Sequence, residues 1–330
     1  MADKPLVVAS LADHELYVKI VEEHFRVVWW EDYIKGPEKY NNDIQGILVD
    51  AYGRLKRVDG SLLDHLPNLK IVSTLSVGTD HLDLELLFKR GIKVSRVPDV
   101  SSDCVADWGI TLLVGMARRI VEGVDSAKNP ATPFDFNIMG KKITGSTIGV
   151  VGFGRIGYKI AERAYGFSMK VLYYDVFRRS EEEEKKIGAT YYSSVDEMLP
   201  HCDFVILIVP LLPTTRGMIG KKQFELMKNS AILVNVARAQ VIDQDALVEA
   251  LKNKTIRSAA IDVTYPEPLP DDHPLRFLDN IIITPHMGAN SEESRRGVVV
   301  AGVKSCIAGV KGEPIPNEVL PPTQKPGKLH

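Results

Sequence analysis

Residues 147–157 read Thr147-Ile148-Gly149-Val150-Val151-Gly152-Phe153-Gly154-Arg155-Ile156-Gly157. A β-branched run leads straight into a glycine-rich turn, and the next stretch carries Ile160, Ala161 and Ala164 on one helical face. G-x-G-x-x-G alone is a weak signal, but between a strand and a helix it marks a dinucleotide site. The first glycine permits the tight turn, the second lets backbone approach a pyrophosphate, and the third lets the helix pack close to the sheet. The helix N-terminus then faces the anion. A second strand ends at Asp175, 23 residues beyond Gly152, where a carboxylate accepts hydrogen bonds from the adenosine ribose. Gly152, Gly154, Arg155, Ile156, Gly157 and Asp175 are therefore expected to hold a cofactor. The charge of Asp175 repels a 2′-phosphate and favours NAD(H). Arg178 and Arg179 either clamp that phosphate, which leaves NADP(H) open, or merely balance Glu181 to Glu184.

Outward from this turn, short β-branched runs alternate with helix-length amphipathic stretches, the pattern of βαβ units and parallel sheets. Strands are expected at Leu6–Ser10, Ile47–Val49, Ile71–Leu75 and Lys93–Val97, then at six places after position 145: Thr147–Val151, Val171–Asp175, Phe204–Val209, Ala231–Val236, Ser258–Val263 and Ile281–Thr284. The expected fold is α/β, with two doubly wound parallel-sheet domains of Rossmann or flavodoxin-like type. Cys104 to Ile120 is apolar on nearly every side and reads as a helix between the two domains. Ser291 to Val310 reads as another, opened by Asn290 and Glu293 in capping-box spacing. The segment 321–330, rich in Pro and Lys, is expected to be a mobile tail.

At 330 residues the chain has room for about two domains. Its 45% hydrophobic and 25% charged residues exclude a disordered class. Forty-one basic against 43 acidic residues leave a net charge of −2, so no global field draws nucleic acid or an anionic membrane. Cys104, Cys202 and Cys306 form no C-x-x-C pair, which suggests neither a disulfide framework nor a zinc cluster. Apolar runs fall far short of a bilayer span, and MADKPLVVAS lacks the pattern of a secretory signal. A cytoplasmic protein without a metal centre is expected.

Three polar residues follow expected strands in the later half of the second sheet: Arg238 after AILVNV, Glu267 after SAAIDV, and His286 after IIIT. Each alone has a bland reading, as a turn cap, a surface residue of a proline-rich loop and a loop histidine. Together they suit reduction of a 2-oxo acid. That reaction needs a fork-shaped cation for the carboxylate and a proton donor beside the ketone oxygen. Arg238 supplies the first and His286 the second. Glu267, if hydrogen-bonded to His286, favours the imidazolium and keeps the acid charged.

With these residues the sequence resembles the D-isomer-specific 2-hydroxyacid dehydrogenase family, and its glyoxylate/hydroxypyruvate reductase branch in particular. The resemblance covers about residues 5 to 320 and rests on Ser76-Val77-Gly78-Thr79-Asp80-His81, VGFGRIG at 151–157, NVARAQVID at 235–243, IDVTYPEPLP at 261–270 with His273-Pro274-Leu275, and TPHMGAN at 284–290. It implies a substrate-binding domain of residues 1–103 and 288–320, interrupted by an NAD(P)-binding domain of residues 104–287. It also implies a homodimer built through the cofactor domains. The backbone N–H groups of Val77 and Gly78 would hold the carboxylate of a small 2-oxo or 2-hydroxy acid. Asp262 would meet the nicotinamide carboxamide, with Pro210, Val236, Gly288 and Ala289 lining its pocket.

Three departures stand out. Ala239 replaces the glycine usual after the arginine, a strain if the backbone there needed positive φ, and is expected to be tolerated. A tryptophan-bearing loop of the reductase branch reads NPATPFDFNIMG, where Phe134 or Phe136 is the substitute. Asp50-Ala51-Tyr52-Gly53-Arg54 would border the substrate side chain without identifying it. Glutamate at 267, where formate dehydrogenases carry glutamine, disfavours that activity. An NAD(H)-sensing binding protein, like the corepressors that resemble this family, is the alternative on the same fold.

Overall fold

A computed structural model describes residues 4–10, 15–50, 55, 57–129, 131 and 139–321. They fall into two compact units, one of residues up to Ser101 together with those from Ser291 onward, the other Ser102–Asn290. The changeovers lie two residues before and three after the boundaries expected from the sequence. They coincide with helix starts, at Ser102 and at the cap Ser291. Of the expected tail only Pro321 is described, and Ala51 to Arg54, Phe134 and Phe136 lie outside the described residues.

The first unit holds a five-stranded parallel sheet of β1 (Leu6–Ser10), β2 (Arg26–Trp29), β3 (Ile44–Val49), β4 (Ile71–Thr74) and β5 (Lys93–Ser95), in the order β2-β1-β3-β4-β5. Val7, Ile47, Leu48 and Val72 are fully buried, as expected of strands covered on both faces. One face packs Val7, Ala9, Leu48 and Ile71 against Val298, Val299, Val303 and Cys306 of the helix Glu292–Lys311. That helix lies very close to the sheet, for a Cβ on Gly309 would fall 2.4 Å from Ile71 Cδ1 and 2.8 Å from its Cβ. Ser73 Oγ donates to Gly302 O at 2.9 Å and Lys70 Nζ to Val310 O at 3.1 Å. Its N-cap is Ser291, whose Oγ accepts from Ser294 N, and not the expected Asn290–Glu293 box.

The second unit holds seven parallel strands where six were expected: β6 (Thr147–Val151), β7 (Lys170–Tyr174), β8 (Ala189–Tyr192), β9 (Phe204–Leu207), β10 (Ile232–Asn235), β11 (Ser258–Ile261) and β12 (Ile281–Ile283). Their order, β12-β11-β10-β9-β6-β7-β8, reverses between β6 and β9, and that switch point is where open α/β sheets place ligands. β2 and β8, the two strands not expected, are edge strands. RVVW and ATYY are only partly buried, so neither shows the apolar run that marks a central strand. Several expected strands end one or two residues earlier, where the ladder gives way to loops.

The helix Ser102–Ala117 packs within the second unit, against the helix Arg155–Gly166 and strands β10 and β11. It is less uniformly apolar than expected: Asp103 takes Lys159 Nζ at 2.8 Å and Asp107 takes Arg163 Nε at 2.5 Å. It stops before Ile120 because Arg119, with φ of 56°, breaks it from a further helix, Ile120–Lys128.

Because Ile71 Cβ cannot retreat from its strand, Gly309→Val is expected to force the last helix off the first sheet. Overpacking of this kind costs about 1–3 kcal/mol. Denaturant unfolding of the intact chain reads it as a lower midpoint; an unchanged midpoint contradicts the close packing.

Candidate active site

The first turn after β6 is built by exclusion. Gly152 has φ of +97°, and a Cβ there would lie 2.7 Å from Ile208 O. A Cβ on Gly157 would lie 2.1 Å from Gly152 O, so the helix Arg155–Gly166 can seat against the turn only with glycine at that position. Gly154 differs, since a Cβ there would meet nothing within 4 Å. Its openness leaves room for a ligand to approach the backbone, and as N-cap it offers no side chain to the first-turn N–H groups. The residues present thus fit a dinucleotide pyrophosphate. Phe153, between the first two glycines of the turn, is 1% exposed and stacks on Tyr173 with centroids 3.8 Å apart. It anchors the turn from beneath.

Asp175 follows β7 and accepts from Phe153 N at 2.6 Å and Phe177 N at 3.0 Å, which fixes its carboxylate beside the glycine turn. Arg178, read as a possible phosphate clamp, donates from Nε and Nη2 to the two oxygens of Glu184 at 2.9 and 2.8 Å. Arg179 donates to Phe153 O at 3.0 Å and to Glu183 at 2.9 Å.

The strands β9 to β12 deliver the other expected residues to their carboxyl ends. Pro210 is exposed after β9, and Val236 is 8% exposed after β10. Asn235, buried at the end of β10, accepts from Ala237 N at 3.0 Å and donates to Arg238 O at 3.0 Å. This local buckle, legible only as a polar residue at a strand end, sets the backbone from which Arg238 projects. Ala239 begins a short 3₁₀ turn and is not among the residues with positive φ, so alanine there carries no strain.

Glu267 and His286 come together, with His286 Nδ1 3.2 Å from Glu267 Oε2. Burial by itself would push the Glu267 carboxyl up. The hydrogen bond and charge of His286, the Thr264 N–H at 3.1 Å and the charge of Arg238 outweigh it and hold the group below the usual carboxylate range. Gln244 holds this loop in place, donating to Tyr265 O at 2.8 Å and accepting from Tyr265 N at 3.1 Å.

His286 itself has φ of 56°, a left-handed conformation uncommon for a residue with a side chain. Asp262 stabilises it. Its Oδ1 accepts from Thr284 Oγ1 at 2.5 Å and Met287 N at 2.8 Å, its Oδ2 from Gly288 N at 2.8 Å, and its carbonyl from His286 N at 2.8 Å. The carboxylate assigned by resemblance to the nicotinamide therefore also shapes the loop that presents the histidine. A Cβ on Gly288 would stand 3.1 Å from Asp262 Oδ2.

In the other unit, Val77 and Gly78 lie in the loop after β4. Ser76 Oγ donates to Gly78 O at 2.6 Å and shares a 2.8 Å hydrogen bond with Thr74 Oγ1, which lies 3.0 Å from His81 Nε2. Among the described residues no group of His, Cys, Asp and Glu could hold a metal ion, and no helix is long and apolar enough to cross a membrane.

Comparison with known proteins places this arrangement. Residues 110–288 match the family model of the D-isomer specific 2-hydroxyacid dehydrogenase NAD binding domain. The chain is 38% identical over 327 residues to the glyoxylate reductase of Pyrococcus furiosus, covering 97% of this chain and 95% of that protein. It is 39% identical over 330 residues to the glyoxylate reductase of Thermococcus litoralis, covering 96% and 97%. Among solved structures, it superposes on the NADPH-dependent glyoxylate/hydroxypyruvate reductase of Sinorhizobium meliloti, in complex with NADP and malonate, with a TM-score of 0.85 at 27% identity, covering 96% and 97% of the two chains. The D-lactate dehydrogenase of Aquifex aeolicus, complexed with NAD and lactic acid, gives 0.81 at 31% identity, covering 93% and 96%. The chain belongs to the D-isomer specific 2-hydroxyacid dehydrogenase family.

Proposed function

We propose that the chain reduces glyoxylate, hydroxypyruvate or a similar small 2-oxo acid to the D-configured or achiral 2-hydroxy acid, with NAD(H) as the favoured cofactor. The observation that carries this reading is the His286–Glu267 contact of 3.2 Å, at the carboxyl edge of a dinucleotide sheet that also delivers Arg238. The names carried by the two archaeal relatives and the Sinorhizobium structure support the substrate class. The binding-protein alternative draws no such support.

When bound, the reduced nicotinamide supplies hydride to the ketone carbon. His286 turns Nδ1 to Glu267, and the ring is assigned to donate a proton to the ketone oxygen as negative charge develops there. Glu267, held below the usual carboxylate range, orients the ring through its contact with Nδ1. Arg238 is assigned to the substrate carboxylate; in the other unit, the resemblance assigns the N–H groups of Val77 and Gly78 to binding a carboxylate. Gly152, Gly154, Arg155, Ile156 and Gly157 would hold the pyrophosphate and Asp175 the adenosine ribose. Pro210, Val236, Asp262, Gly288 and Ala289 would surround the nicotinamide. The engagement of Arg178 and Arg179 by glutamates supports NAD(H) over NADP(H).

Two further assignments complete the reading. The helix Ile120–Lys128 buries none of its residues and exposes Ile120, Val121 and Val124, an apolar surface suited to a second copy of the chain. We assign it to a homodimer contact. Cys104, Cys202 and Cys306 are all free thiols, in keeping with a cytoplasmic enzyme.

A spectrophotometric panel of glyoxylate, hydroxypyruvate, pyruvate and 2-ketogluconate with NADH and NADPH tests the activity. Reduction of none of them would restore the binding-protein reading. His286→Ala is expected to lower kcat by about 10²-fold or more while NADH affinity, read by fluorescence titration, stays close to that of the parent; normal turnover sinks the assignment.

Glu267→Gln removes the carboxylate that faces His286 Nδ1 and is expected to lower kcat more than it changes KM. The same substitution bears on stability. A carboxyl held below its unfolded value of 4.5 stabilises the fold above that pH and loses this contribution as pH falls through the folded value. The variant's melting temperature should therefore fall less steeply in acid. An unchanged kcat together with an unchanged acid limb of stability counts against the pair.

Light scattering on a sizing column is expected to show a dimer for the parent chain and a shift toward monomer for Ile120→Ser/Val121→Ser/Val124→Ser. A monomeric parent would contradict the contact.

A further inference from the structure

Four charged side chains beside Asp175 are more tightly organised than solvated surface residues need to be. Glu184 is 9% exposed in its side chain and receives both the Arg178 fork and the Tyr173 hydroxyl, the latter at 2.6 Å. Tyr173 in turn accepts from Arg179 N at 3.1 Å. The Arg178 hydrogen bonds outweigh the cost of burial and hold the Glu184 carboxyl below its usual range. Burial and the bond to Glu184 push the Tyr173 hydroxyl up, so it stays a donor. Each guanidinium also lies over a ring, Arg178 at 5.5 Å from the Tyr191 centroid and Arg179 at 5.5 Å from that of Tyr158. Glu183 serves twice, closing the capping box with Ser180 through Oε2 and taking Arg179 through Oε1. In dinucleotide folds the acidic residue at this strand end meets the ribose 2′-hydroxyl, and an arginine near it accommodates a 2′-phosphate.

We infer that Glu183 and Glu184 are specificity-determining residues that exclude a 2′-phosphorylated cofactor by holding Arg179 and Arg178 in ion pairs. The inference rests on the NAD(H) reading above and assigns part of that preference to residues beyond Asp175. A 2′-phosphate would have to displace two carboxylates, one of them buried and bidentate, before either arginine could receive it. The adjoining carboxylates add repulsion of their own.

Calorimetric titration of the intact protein with AMP and with 2′,5′-ADP separates the phosphate's contribution from the rest of the cofactor. In Glu183→Gln/Glu184→Gln the affinity for 2′,5′-ADP is expected to rise about tenfold, equivalent to about 1.4 kcal/mol, while that for AMP stays within about twofold. Glu183→Gln alone retains a cap-competent side chain and frees only Arg179, so it guards against loss of fold in the double variant. It should give a smaller gain that Arg179→Ala, added to it, removes. Unchanged 2′,5′-ADP affinity in Glu183→Gln and in a folded double variant overturns the inference. A parent chain that binds 2′,5′-ADP more tightly than AMP overturns instead the NAD(H) reading on which it rests.

Discussion

The contact between Gly157 and the carbonyl of Gly152 is the constraint on which the cofactor-binding unit depends. A Cβ at Gly157 would lie 2.1 Å from that oxygen, so no other residue lets the helix seat on the turn. From that seating follow the direction of the helix N-terminus, the open backbone at Gly154 and the position of Phe153 over Tyr173. Phe153 N then fixes Asp175, and Phe153 O receives Arg179. One backbone approach thus ties the glycine turn to Asp175 and Arg179.

The chemistry at the other end of the edge depends on a similar economy of carboxylates. Asp262 is 2% exposed and accepts three hydrogen bonds through its side chain, all from the segment that carries His286. These bonds offset the unfavourable left-handed backbone at the histidine. Glu267, in a more exposed loop, faces the ring at Nδ1. One acid shapes the backbone and the other meets the side chain. Arg238, placed by the Asn235 buckle, adds positive charge that keeps Glu267 ionised.

Most of this was legible from residue types and spacing because central parallel strands, glycine turns and strand-end polar residues leave strong local signals. The edge strands Arg26–Trp29 and Ala189–Tyr192 did not, since half-exposed strands need no continuous apolar run. The choice between a phosphate clamp and an ion-paired role for Arg178 was likewise beyond the sequence. It depends on how the helix Glu181–Lys186 turns Glu184 inward toward Tyr173, a tertiary fact. The cap of the last helix moved from Asn290 to Ser291 because the Ser291 hydroxyl, one residue later, meets the Ser294 amide. Ala239 shows the reverse case. The departure from the family pattern there, costly only where the backbone needs positive φ and so expected to be tolerated, carries no strain because the backbone is helical.

On the proposed function, bound reduced nicotinamide would pass hydride to one face of a 2-oxo acid. Reduction of hydroxypyruvate with C4-deuterated NADH, followed by chiral chromatography and NMR of the product, is the decisive measurement. D-glycerate carrying deuterium at C2 is expected. L-glycerate, or product without deuterium at C2 from fully labelled cofactor, would contradict it.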